Sequence, residues 1–263
     1  MKRVIRVLLV SMLVMGLIFT AVGCGGGQSS DQTGDDQVQK IVVGTNAAFP
    51  PFESQDKGEL IGFDMDLIRA IGEAQGIEVE IKHMDFKALV PAVQQGKIDA
   101  AIAGMSITPE RLETVDFSDS YFDAGLIVAV RNDNEAIKSK DDLKGKKLAA
   151  QTGTIGADYC QKVAKEDPST EVRVFEDVGV AFMEMKKGGV DAVVNDHPVT
   201  LNYILTTEDA GIKMVGDIFS ADDKYGIAVK KGNSDLQQLL NEGLEKIKAD
   251  GTYDQLYKKW IEE

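Results

Sequence analysis

The feature that most narrows the fold is a strand–helix alternation that runs through the chain twice. Residues 40–45 (KIVVGT) form a short apolar segment ending in a glycine turn, and residues 64–75 (DMDLIRAIGEAQ) carry apolar side chains at 65, 67, 68, 71 and 74. Spacing of three and four residues makes an amphipathic helix, whereas the alternation at residues 79–82 makes a half-buried strand. Residues 86–95 read as a second helix stopped by Gly96, and residues 99–103 as an apolar run of strand length. The order then recurs: strand 147–150, helix 155–166, strand 172–175, helix 180–187, strand 192–194. Within it, Gly96-Lys97-Ile98-Asp99-Ala100 and Gly188-Gly189-Val190-Asp191-Ala192 stand 92 residues apart. Each Asp precedes a buried strand, and the expected strand ends are Gly104 and Asp196. This pattern predicts an α/β fold with parallel-type sheets in two similar lobes. Ligands of open α/β sheets bind beyond the carboxyl ends of strands, so two facing edges predict a small-molecule cleft between the lobes.

Charge and cysteine counts remove other classes. With 29 Lys and Arg against 43 Asp and Glu, the formal charge is −14, and no basic stripe interrupts it. Such a chain repels phosphate backbones, which excludes nucleic acid as a partner. Two cysteines and two histidines are too few for a zinc framework or a disulfide scaffold, and His83 and His197 lack ligand-spaced companions, so no metal is expected. Cys160, the only cysteine after residue 24, is expected to be a small buried hydrophobe. The charge runs Asp35-Asp36 and Asp222-Asp223-Lys224 are expected on solvated faces, and the Leu/Ile pattern of residues 236–247 on a helix packed against the first lobe.

The first residues read differently. Lys2, Arg3 and Arg6 precede an almost unbroken apolar run over residues 7–22, shorter than the roughly 20 residues of a bilayer-spanning helix and matched to a secretory signal. It ends in Ala21-Val22-Gly23-Cys24, which resembles a bacterial lipobox with Ala where Leu is commonest. The resemblance implies a signal peptide over 1–23 and lipidation of Cys24. Ordinary signal-peptide cleavage that leaves a free thiol, and a retained signal anchor, are the alternatives. Residues 24–39, rich in Gly, Ser, Gln and Asp, then read as a flexible tether.

Several longer phrases carry a further resemblance. GTNAAFPPFE (44–53), GFDMDL (62–67), MDFKALVPAVQQGKIDAAIAGMSITPER (84–111), VDFSDSYF (115–122), QTGTIGADY (151–159), DAVVNDHP (191–198), YGIAV (225–229) and GTYDQLYKKW (251–260) resemble the family 3 extracellular solute-binding proteins of polar amino acid ABC transporters, glutamine-binding proteins above all. The resemblance implies a two-lobed type II periplasmic-binding-protein fold with a two-strand hinge. The first lobe would take residues 40–121 and 225–263, and the second residues 126–220. It also implies a monomer that binds a free amino acid and docks on a permease and its ATPase, without a cofactor. Gly25, which gives no Asp-type retention signal, leans the location to a Gram-positive surface rather than a periplasm.

An amino acid needs its carboxylate, its ammonium and its side chain recognised. Arg111, in Thr108-Pro109-Glu110-Arg111, is the candidate for the carboxylate, because a guanidinium fork matches two carboxylate oxygens. The plainer reading is a helix-start arginine paired with Glu113 or Asp116. Ser106 can add a hydroxyl, and Thr154 and Ile155 begin a helix whose N–H groups favour an anion. Asp196 is the candidate for the ammonium, with the carbonyl of Gly104 beside Ala103, and it would otherwise be a helix N-cap. Phe49 and Phe86 resemble the aromatic walls of the family and are otherwise core residues. At the side-chain end, Asn46, Gln151 and Asn195 stand where relatives carry Asp, Lys and His. Three neutral amides and a single committed anion predict a neutral polar ligand, glutamine first, with a basic amino acid as the alternative. A dehydratase-like or lyase-like enzyme on the same fold would need a poised acid or base, and no paired carboxylates or Ser-His-Asp set stand out in the sequence. A sensor module would continue into a membrane span, and the chain stops at Glu263.

Overall fold

The computed structural model describes residues 39–220 and 222–262. The expected signal peptide, Cys24 and most of the tether lie outside the described residues. Two five-stranded sheets organise the rest. The first runs Glu78–His83, Lys40–Thr45, Ala100–Ala101, Ala228–Lys230, Val115–Phe117, and the second Glu171–Phe175, Lys147–Gln151, Ala192–Asp196, Leu126–Arg131, Ile212–Phe219. Three adjacent strands are parallel in each sheet, and the remaining pairings are antiparallel. The parallel-type expectation therefore covers only part of each sheet. A parallel neighbour needs a helical crossover. Leu126–Arg131 and Ala228–Lys230 instead arrive from Phe122–Asp123 and Lys224–Tyr225, two short strands that pair antiparallel where the chain passes between the sheets.

The repeated phrase does the same work in both lobes. The Asp99 carboxylate accepts from the Val42 N–H (2.7 Å), and the Asp99 N–H donates to the Val42 carbonyl (2.8 Å). Asp191 makes the same reciprocal pair with Lys147, at 2.8 and 2.7 Å. Each Asp thus clips the start of one parallel strand to its neighbour. The strands that follow differ in length. Ala192–Asp196 runs to Asp196, whereas the first is regular only over Ala100–Ala101, because the chain turns at Gly104 with φ +49°. A Cβ at Gly104 would also lie 3.1 Å from the Phe49 ring.

Helix Phe63–Gln75 buries Met65, Leu67, Ile68 and Ile71, the stripe its periodicity predicts, and ends at Gly76 in the left-handed region. Helix Ser234–Ala249 packs on it closely enough that a Cβ on Gly243 would lie 2.7 Å from Ile71 Cγ2. Beside the crossing strands lies an aromatic layer. Phe52 is fully buried in it, edge-on to Phe63, Phe122 and Tyr225 with centroids 6.1, 4.8 and 5.1 Å away. Cys160 is buried, and burial pushes its thiol up to about 12, so packing alone explains it. Truncating Phe52 would leave a void where the two sheets meet. Phe52→Ala should cost about 3–5 kcal/mol in a urea unfolding titration, and a loss below about 1 kcal/mol would show that the aromatic layer does not carry the fold.

Candidate functional site

Both sheets deliver residues to one small cavity between them. From the first come Phe49, Phe86 at the start of helix Phe86–Gln94, Gly104 and Ser106 after the short strand, and Arg111 in helix Pro109–Leu112. From the second come Gln151 and Asp196 at strand ends, with Thr154 and Ile155 where helix Ile155–Glu166 begins. Thr154 caps that helix, its hydroxyl accepting from the Ala157 N–H at 3.3 Å. A wider hollow is lined largely by apolar side chains, among them Phe122, Leu201, Leu205, Tyr257 and Trp260.

Arg111 is not paired with Glu113 or Asp116; Asp116 instead pairs with Lys231 at 2.6 Å. Its guanidinium donates to the carbonyls of Ser106 (2.6 Å) and Gly153 (3.0 Å) and stands 5.4 Å over the Phe86 ring. A guanidinium has five N–H donors, so donors remain for a carboxylate. Burial lowers its pKa, opposed by the charges of Asp158, Asp196, Asp223 and Glu110. Asp196 stands at the N-cap of helix His197–Thr206, yet its carboxylate makes no capping bond. It accepts instead from the Tyr225 hydroxyl. Burial, then the neighbouring Asp223, push its pKa up to about 7, with Tyr225 and Arg111 opposing. Among the described residues its carboxylate makes no ion pair, and the Tyr225 hydroxyl is its hydrogen-bond donor.

The amides divide. Gln151 donates to Asn46 Oδ1 (2.8 Å) and to the Glu176 carbonyl (2.8 Å), while Asn46 donates to the Met84 carbonyl (3.1 Å). This joins the two sheets across the cleft, as do Arg111 to Gly153 and the Lys87–Glu176 ion pair at 2.6 Å. Asn195 turns away, donating to Thr200 Oγ1 (3.3 Å) and the Asp196 carbonyl (3.4 Å), and the cavity wall is built without it. Neighbouring strand residues point to opposite faces, so Asn195 and Asp196 do not both face the cleft. Ala103 packs in the core with 1 % exposure.

Sequence reasoning missed four groups. Asp64 accepts from the Gly104 N–H and the Tyr121 hydroxyl, both at 2.8 Å, and so holds Gly104 in its turn. Burial raises Asp64 to about 6, with Gly104 and Tyr121 opposing. Glu53 beside it is wholly buried, and burial, then Asp64, hold its pKa well above the usual carboxylate range. Tyr225 bridges the layer to Asp196. Asp223, expected on a solvated face, is only 8 % exposed. The fold therefore makes two carboxylate pairs, Glu53 with Asp64 and Asp196 with Asp223, that no sequence spacing displays. Signals existed. Asp64 lies one helical turn before Ile68, on the apolar face, and Asp223 stands two residues before the largely apolar, buried run over residues 225–229.

The family model described as bacterial extracellular solute-binding proteins, family 3, matches residues 41–263. A glutamine-binding protein of an ABC transporter from Bacillus subtilis (strain 168) is 35% identical, the match covering 100% of this chain and 98% of that protein. A probable histidine-binding protein from Neisseria gonorrhoeae is also 35% identical, over 90% and 89%. Among solved structures, an ancestral arginine-binding protein bound to arginine is 49% identical with a TM-score of 0.81, over 84% of this chain and 98% of that one. An ancestral arginine-binding protein bound to glutamine gives 49% identity and a TM-score of 0.80, over 85% and 98%.

The raised carboxylates have a consequence for stability. Folded Asp196 and Asp64 keep protons that the unfolded chain has released, so stability falls as pH rises from about 4 towards 7. The ligand-free protein should have a higher urea midpoint at pH 5.5 than at pH 8. Asp196→Asn should flatten that slope; an unchanged slope in the variant would remove Asp196 as its source.

Proposed function

The chain belongs to the bacterial extracellular solute-binding proteins of family 3, and from that premise we propose that it is the capture subunit of an ABC importer, taking a free polar amino acid between Arg111 and Asp196. The observation that carries this reading is a half-buried Arg111 and a buried Asp196 lining one cavity with no ion pair joining them. A zwitterion complements both. Its carboxylate takes the free Arg111 donors and the N–H groups at the start of helix Ile155–Glu166, and its ammonium takes Asp196 and the Gly104 carbonyl. Phe49 and Phe86 close on the aliphatic stem. The raised pKa of Asp196 is that of a carboxylate awaiting a cation, so no acid–base step is needed to explain it.

Capture works by closure. Ligand contacts from both lobes exist only when the lobes meet, so ligand shifts the population to the closed form. The contacts Asn46–Gln151, Arg111–Gly153 and Lys87–Glu176 bridge the lobes in that form. Movement occurs about the strands Phe122–Asp123 and Lys224–Tyr225. The permease releases the ligand by favouring the open form. A monomer anchored through lipid on Cys24 to the outer face of a Gram-positive membrane completes the proposal.

Glutamine is the favoured ligand, because the Asn46 and Gln151 amides offer a donor and acceptor set without charge. A basic amino acid is the second reading, supported by the arginine-bound relative at 49% identity. The test is a thermal-shift panel of the twenty amino acids on protein unfolded and refolded to remove bound ligand. A ligand at about 1,000 times its Kd should add about 4 kcal/mol. Silence across the panel would sink the amino acid reading. Arg111→Ala should weaken whichever ligand wins by about 100-fold or more, since it strands a buried carboxylate. Asn46→Asp should raise affinity for arginine relative to glutamine, and an unchanged ratio would remove Asn46 from the side-chain pocket.

A further inference from the structure

We propose that Asp223 is a specificity-determining residue: its carboxylate gives the cleft the second negative charge, beside Asp196, that admits a cationic amino acid alongside glutamine. The inference rests on the amino acid reading of the Arg111–Asp196 cleft and concerns which amino acids that cleft prefers.

Asp223 sits just before the crossing strand Lys224–Tyr225. Its backbone is tied on both sides, the N–H donating to the Ser220 carbonyl (2.9 Å) and the carbonyl accepting from the Ala124 N–H (3.0 Å). The side chain is more than nine-tenths buried, and its Oδ2 has no hydrogen-bond partner among the described residues. Backbone pairing places it beside the cleft: Ser106, which lines the cavity, bridges to Tyr225, the Ile107 N–H donates to the Lys224 carbonyl (2.8 Å), and the Tyr225 hydroxyl donates to Asp196. The charges of Arg111, Asp196 and Asp222 act on it there. None is a cation dedicated to Asp223. Lys224, next in sequence, pairs outward with Asp123 at 2.7 Å, and Arg111 is shared among Asp158, Asp196, Asp223 and Glu110.

The charge count follows. On the hinge side Asp196 and Asp223 oppose one arginine, on which Asp158 and Glu110 also draw, so the site is left with an excess negative charge once a neutral zwitterion has occupied it. A ligand with net charge +1 cancels that excess. The neutral amides of Asn46 and Gln151 do not supply this, so discrimination by charge is assigned to the hinge side of the cleft, away from the ligand's side-chain end. Coulomb attraction at an effective dielectric of about 20 reaches across that distance, where a hydrogen bond does not.

The test is calorimetric Kd values for L-arginine and L-glutamine, in the same buffer, for the wild type, Asp223→Asn and Asp223→Glu. Asp223→Asn should weaken arginine about tenfold more than glutamine, whereas Asp223→Glu, which keeps the charge, should hold the ratio within about threefold. Titrations of the wild type in two buffers of different ionisation enthalpy add a reading that needs no variant: arginine should release more protons than glutamine. An unchanged ratio in Asp223→Asn, equal proton release, or a wild type that binds glutamine and no arginine would each overturn the role of Asp223. A wild type that binds neither would overturn the cleft reading itself.

Discussion

Two charged groups of opposite sign, a half-buried Arg111 and a buried Asp196 held apart in one cavity, set the terms for the rest of this protein. Burying an unpaired charge is costly, and the cost is tolerated only where something else removes it. Arg111 is partly satisfied by two carbonyls and a phenyl face, while Asp196 has one tyrosine hydroxyl and a second carboxylate nearby. The frame around them must therefore hold still against its own electrostatics. It does so through the aromatic layer of Phe52, Phe63, Phe122 and Tyr225, whose contacts need no charge.

The same tension explains why the site is assembled from strand ends and the crossing segments together. Gly104 offers its carbonyl because its N–H is held from behind by Asp64, and Asp64 is held by Tyr121 and shares a buried space with Glu53. Asp196 is held by Tyr225, which belongs to a crossing strand. On the proposed reading, movement of the lobes about those strands would change the surroundings of Asp196 directly, and binding and closure would be coupled without a separate relay.

Much of this was legible in the sequence, for physical reasons that can be named. Helix Phe63–Gln75 follows from apolar spacing, and the recurring Asp99 and Asp191 phrases follow from a carboxylate clip used twice. Nine of the expected ligand positions line the cavity: Gly104, Thr154, Ile155 and Asp196 mark themselves as strand ends and helix starts, whereas Phe49, Phe86 and Arg111 were expected from the family resemblance of their motifs. What stayed hidden depends on which face of an extended segment turns inward. Asn195 was expected in the cleft and points into the following helix, while Asp223 was expected in water and is buried. Asn195 was misplaced by reading polarity without strand parity, and Asp223 because the turn that buries it, closed by its N–H to the Ser220 carbonyl, leaves no periodic pattern in the sequence. The antiparallel strands Ala228–Lys230 and Leu126–Arg131 were hidden for a related reason, since their direction is decided by crossings between sheets and not by local pattern.

The central claim is that a ligand closes the protein by satisfying Arg111 and Asp196 together. Small-angle X-ray scattering on ligand-stripped protein, with and without the amino acid that stabilises it most, tests this directly. The account predicts a smaller radius of gyration on binding in the wild type and no contraction in Arg111→Ala at the same ligand concentration. Saturated binding with an unchanged radius, or full contraction in the variant, would contradict it.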